Sequence, residues 1–121
     1  IDVYKEEGLI ENSRNMGKVL GQILEDLKEK HPCVGDVRYI GLFSAVELVK
    51  DKKTKKPLVP YGKDPEGLMK KIVGMLVERG FWTYNHQNRI MVAPPLIINE
   101  EQLRENLAIL DEVLSYVDTI I

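Results

Sequence analysis

The sequence predicts an α+β domain: a small antiparallel or mixed sheet of roughly three to four strands with helices packed on one face. Three observations carry that reading. Leucine, isoleucine, valine and methionine recur at three- and four-residue spacing in three separate segments, the mark of amphipathic helices. Two intervening segments are rich in β-branched and aromatic residues with alternating polarity, the mark of half-buried strands. Proline, glycine, asparagine and aspartate punctuate the boundaries between them. The resulting order is helix, strand or strands, helix, hairpin, helix, within one domain spanning residues 1–121.

The first helix runs from Leu9 to Lys30, with Met16, Val19, Leu20, Ile23, Leu24 and Leu27 on one face. Gly17 and Gly21 interrupt it at a cost of about 1 kcal/mol each relative to alanine. They lie one turn apart, so a neighbouring backbone is expected to approach closely there. Lys28 and Lys30 suit the negative end of the helix dipole, and His31-Pro32 ends the helix. "GDVRYIGLFSAVELVK", Gly35 to Lys50, reads as two short strands or one strand bent at Gly41. "DKKTKKPLVPYGK" reads as an exposed excursion.

The second helix is expected to take Asp64 as N-cap, Pro65 as first residue and Glu66 near its positive end. Leu68, Met69, Ile72, Val73, Leu76 and Val77 form its buried stripe. Gly80 ends it in a left-handed conformation, with Phe81 packing back on the last turn. Phe81–Tyr84 and Arg89–Val92 read as strands joined by the turn Asn85-His86-Gln87-Asn88. After Ala93-Pro94-Pro95 and the apolar run Leu96 to Ile98, Asn99 with Gln102 forms a capping box. Leu103, Leu107, Leu110 and Leu114 give the last helix its apolar ridge.

Composition excludes several function classes. A net charge of −2 gives no general affinity for nucleic acid or anionic membrane. No apolar run approaches the roughly 18 residues of a membrane span. Cys33 is the single cysteine, which favours a reducing compartment, and the expected location is cytoplasmic. The chain opens at Ile1, and "IDVYKEEGLIENS" reads as helix without an upstream cap, so a fragment of something longer is expected. No self-contained active site emerges. His31 and His86 are far apart, the glycines form no phosphate loop, and the lysines at 52, 53, 55 and 56 read as a solvated loop.

"VGDVRYIGLFSAVELVKDKKTKKP", "LVERGFWTYNHQNRIMVAPPLIINEEQL" and "LAILDEVL" resemble the C-terminal small domain of class III, fold-type-I aminotransferases. These are enzymes of the ω-amino acid:pyruvate, ornithine and 4-aminobutyrate type. The resemblance implies pyridoxal phosphate as cofactor of a larger parent and amino acids or amines and 2-oxo acids as substrates. It further implies a homodimer partner and a large domain of the same chain holding the cofactor lysine. No catalytic residue, cofactor-binding residue or metal ligand is assigned here, and the segment alone is expected to be inactive without bound cofactor.

What the resemblance assigns to such a domain is a wall of the substrate site and, in some members, an arginine that clamps a carboxylate. Ornithine-type members carry it where this chain has Met91, and ω-amino acid:pyruvate members where it has Tyr84. Arg89, on the same strand face as Met91, is the candidate replacement; its plainer reading is a strand arginine bonded to a local acid. Tyr84 and His86 are candidates for the pocket wall and entrance. The alternative from another class is a stand-alone, non-catalytic ligand-sensing or interaction domain.

Overall fold

The computed structural model describes residues 3–60, 64, 67–95 and 97–121, with the backbone alone for 3–7. Three helices lie on one face of an antiparallel sheet. In order these are α1 (Val3–Lys30), β1 (Val34–Ile40), β2 (Phe43–Asp51), β3 (Lys56–Pro57), α2 (Leu68–Glu78), β4 (Asn85–His86), β5 (Arg89–Val92) and α3 (Glu100–Asp118). The strand order is β1-β2-β5-β4, with β3 on β2 beyond β5. The two tiny strands β3 and β4 bring the count to five.

Alternation along β2 builds the core. Val46 sits between Val37 of β1 and Ile90 of β5, and all three are buried. Helix residues close over them: Leu20, Leu24 and Leu27 from α1, Met69, Ile72 and Leu76 from α2, and Leu103, Leu107, Leu110 and Leu114 from α3. The expected stripes therefore all face inward, and Val113 and Val117 extend that of α3. At about 25 cal/mol per Å² of apolar surface, each fully buried leucine stabilises the fold by about 2 kcal/mol.

The paired glycines of α1 permit the close approach expected of them. A Cβ on Gly17 would lie 2.8 Å from the Gly41 carbonyl oxygen, and one on Gly21 would lie 2.6 Å from the Tyr39 ring. The helix thus rides directly on the β1–β2 turn, where Gly41 adopts φ 57°. That turn resolves Gly35–Lys50 into two strands rather than one bent strand.

Helix ends follow their local chemistry. Gly80 takes φ 91° and donates to the Val77 carbonyl, while the Phe81 N–H reaches Leu76 at 2.8 Å. This is a Schellman closure with Phe81 buried over it. Asn99 and Gln102 form the reciprocal capping box, at 2.8 Å and 3.2 Å.

Three expectations are corrected. Phe81–Tyr84 is not a ladder strand: the Schellman bond draws Phe81 to α2, and pairing begins at β4, four residues later than expected. Helix α2 starts at Leu68 with Gly67, at φ 66°, as its N-cap, where Asp64 was the expected N-cap. Asp64 nonetheless accepts from the Met69 and Lys70 amides at 3.1 Å and 3.3 Å, acting as a cap from outside the helix. The excursion after β2 is anchored, because β3 pairs with β2 and Leu58 and Val59 are buried. The expectations placed on Ile1, Asp2, Tyr61, Gly62, Lys63, Pro65, Glu66 and Leu96 lie outside the described residues.

Where α1 ends, His31 is 1% exposed, with its ring nitrogens 2.5 Å from Asp111 and 2.5 Å from Asp118, both on α3. Lys30 also reaches Asp111, at 2.9 Å, and the Cys33 amide donates to Asp118 at 3.0 Å. Burial pushes the Asp111 carboxyl up, but hydrogen bonds from Lys30 and His31 outweigh it and hold the group below its usual range. At Cys33, burial and then Asp118 push the thiol upward, so it stays protonated and unreactive.

Two predictions follow from these contacts. Gly17→Ala is expected to lower stability by about 1–3 kcal/mol through backbone overlap. Gly74→Ala, where an added Cβ meets open space within α2, is expected to raise it by about 0.5–1 kcal/mol. Denaturant melts of the two variants check the pair, and equal effects would contradict the close approach. Second, a lowered folded-state carboxyl stabilises fully above the unfolded value near about pH 4, and that contribution is lost as pH falls through the folded value. Asp111→Asn is therefore expected to flatten the acid limb of the stability curve followed by circular dichroism; an unaltered limb would contradict the assignment.

Candidate substrate-facing site

The sheet face turned away from the helices has no cover within the described chain. Alternation puts Asp36, Arg38 and Ile40 of β1 on it, beside Phe43, Ala45 and Glu47 of β2, Arg89 and Met91 of β5, and His86 of β4. The face divides in two. Its apolar half holds Ile40, 85% exposed, and Phe43, 54% exposed, which is unusual for side chains of this size. Its charged half holds Asp36, Arg38, Glu47, Arg89 and His86.

A cavity of about 260 Å³ lies across the boundary, lined by Arg38, Ile40, Phe43, His86, Arg89 and Met91 among others. Arg89 and Glu47 are cross-strand partners, with Nε 3.9 Å from Oε2. Arg38 and Asp36 form a second pair at 3.6 Å, both substantially exposed. Pairs this exposed contribute little stability, which leaves both guanidinium groups available to an incoming anion. His86 and Arg89 are held by a two-residue connection, Gln87-Asn88, in which Gln87 adopts φ 55°. The Asn88 side chain secures that connection, donating to the Leu48 carbonyl at 2.7 Å.

Of the sequence candidates, the structure brings Arg89 and His86 into one cavity wall. Tyr84 stands beside it, 59% exposed, its carbonyl accepting the Met91 amide at 3.1 Å. Sequence reasoning missed Arg38, Ile40, Phe43 and Glu47 as members of this face. The available signal was large apolar residues placed out of phase with the buried positions of their strands.

A second cavity, about 190 Å³, sits where β5 ends, between Phe81, Trp82, Pro94, Pro95, Asn106 and Leu107. The ladder stops at Val92, whose carbonyl accepts from the Ser44 hydroxyl at 3.1 Å. The chain then turns through an Ile98 amide to Pro95 carbonyl bond of 3.0 Å, and Asn12 of α1 donates to the Ile98 carbonyl. The proline pair ends the strand and delivers the chain to α3, as two residues lacking backbone donors must.

Lys18, Lys30, Lys50, Lys53, Lys55, Lys56, Lys70 and Lys71 are exposed. Half-buried Lys28 pairs with Asp36, and Lys52 donates to the Lys28 and His31 carbonyls. Among the described residues no group of three or more histidine, cysteine or acidic side chains is arranged to bind a metal, and no helix is long and apolar enough to cross a membrane.

Residues 1–114 match the model of the aminotransferase class-III family. The chain is 35% identical over 121 residues to a taurine–pyruvate aminotransferase of Bilophila wadsworthia, covering 98% of this chain and 26% of the relative. It is 37% identical over 113 residues to ethanolamine-phosphate phospho-lyase homolog 1 of Caenorhabditis elegans, covering 93% and 24%. Among solved structures it superposes with TM-score 0.89 and 42% identity on a taurine:2-oxoglutarate aminotransferase from Bifidobacterium kashiwanohense in complex with PLP and glutamate, covering 96% and 26%. The chain thus spans about a quarter of the length of these relatives.

Proposed function

This chain belongs to the aminotransferase class III family, and we propose that residues 1–121 are the C-terminal small domain of a larger, pyridoxal-phosphate-dependent aminotransferase. That enzyme transfers an amino group from an amino acid or amine, with an ω-amino donor favoured, to a 2-oxo acid such as pyruvate. It works as a cytoplasmic homodimer. The cofactor, which supplies the electron-accepting ring for the chemistry, resides with the large domain, a reading supported by the exposed or locally bonded state of the lysines whose side chains are described.

The observation that carries this reading is the uncovered sheet face, apolar at one end and at the other carrying two arginines loosely paired with two carboxylates, with a cavity across the boundary. Ile40 and Phe43 are the part that the large domain covers. Arg89 is the part that meets substrate: its guanidinium exchanges the long contact to Glu47 for two parallel hydrogen bonds to a substrate carboxylate. His86 borders the same cavity at its polar end, and Tyr84 forms the adjoining wall. The chain's own work is binding and orientation, not proton transfer to the reacting carbon. Relatives named for aminotransferase and phospho-lyase chemistry share this segment, which supports a division between shared walls and chemistry located elsewhere.

In the full-length enzyme, Arg89→Ala is expected to raise KM for a 2-oxo acid by about tenfold to a hundredfold, the range set by losing charged hydrogen bonds of about 1.5–3 kcal/mol. The kcat for an amine donor without a carboxylate is expected to change little. Steady-state kinetics with both substrate types check this, and an unchanged KM for the acid would remove Arg89 from the site. Full-length protein that neither binds pyridoxal phosphate nor transfers amino groups would overturn the whole reading.

A further inference from the structure

We propose that His31, Asp111 and Asp118 form a proton-held clasp that joins the end of α1 and the start of β1 to the last turns of α3. The geometry is specific. Each ring nitrogen of His31 lies 2.5 Å from a carboxylate oxygen, Nδ1 from Asp118 and Nε2 from Asp111. An ionised carboxylate accepts and cannot donate, whereas a neutral imidazole offers a single N–H. With one proton too few, one of the two contacts sets lone pair against lone pair. The three groups together therefore hold one proton more than a neutral imidazole and two carboxylates. Nε2 carries a hydrogen toward the Asp111 carboxylate, and the further proton sits on Nδ1 or on the facing Asp118 oxygen; either placement makes both contacts hydrogen bonds.

The surroundings match that count. From α1, Lys30 reaches Asp111 at 2.9 Å, and Lys28 is turned toward Asp36 at 3.6 Å. From the turn after β2, the Lys52 amine lies 3.4 Å from the His31 carbonyl. From the approach to β1, the Cys33 amide donates to the second Asp118 oxygen at 3.0 Å, and the Cys33 thiol contacts the Leu114 carbonyl at 3.6 Å. Two carboxylates thus face the imidazole from α3, with cations from α1 and the β2–β3 turn around them. His31 is 2% exposed at its side chain, so water does not replace a lost partner.

The clasp carries a direction of response. Removing the extra proton opens one arm, because two lone pairs then face each other. β1 begins three residues after His31, at Val34, so the clasp adjoins the start of the strand bearing Arg38 and Ile40.

Selective ¹⁵N-histidine labelling of the intact protein tests the clasp. At neutral pH the His31 imidazole nitrogens are expected to share two protons with their partners. In Asp111→Asn, whose amide can donate to a neutral ring, Nε2 is expected to lose its proton. Amide exchange at Cys33, corrected for intrinsic base catalysis, is expected to accelerate about tenfold on raising the pH in the parent and not in the variant. If Asp111→Asn does not fold, Asp118→Asn makes the same exchange of acceptor for donor at Nδ1. A His31 ring whose Nε2 is equally unprotonated in parent and variant, or Cys33 exchange with the same pH profile in both, would overturn the clasp.

Discussion

Strand β2 is the constraint on which the remainder of the molecule depends. It pairs with β1 along one edge and with β5 along the other, and from Phe43 to Leu48 its side chains alternate between the two faces. Ser44, Val46 and Leu48 point into the helices, while Phe43, Ala45 and Glu47 point away from them. A slip of one residue would exchange the two sets, exposing Val46 and burying Glu47 beneath α1 without a partner. The apolar core thus fixes the register, and the register places Glu47 opposite Arg89. Packing on one side of the sheet determines electrostatics on the other.

Helix and strand identities were legible because periodicity is local. The stripes of α1, α2 and α3 reported their buried faces, and Gly17 with Gly21 announced a close contact without naming its partner. Gly80-Phe81 and Asn99-Gln102 were legible as caps because the hydrogen-bonding groups lie within a few residues of each other. Boundaries failed where two local signals competed. Asp64 is a good capping residue, but the chain turned at Gly67 instead, and Phe81 had to satisfy α2 before it could enter a strand.

The candidate site was less legible, for a physical reason. Arg89 and His86 stood out through the hairpin, but Arg38, Ile40, Phe43 and Glu47 join them by cross-strand register over distances that no local pattern encodes. The buried histidine is the extreme case. His31 precedes Asp111 by 80 residues, and nothing near either residue signals their meeting. Resemblance to a family supplied what spacing could not, namely the expectation that this hairpin forms a wall of a substrate site.

The connection between β4 and β5 has a consequence for how this face diversifies. Only Gln87 and Asn88 separate His86 from Arg89, and Asn88 is tied to the backbone of β2. Such a tether has no slack with which to swing its flanking side chains, so the spacing between imidazole and guanidinium is built into the scaffold. Variation at this face must then proceed by exchanging side chains on a stiff template, one rung at a time, and not by remodelling a loop.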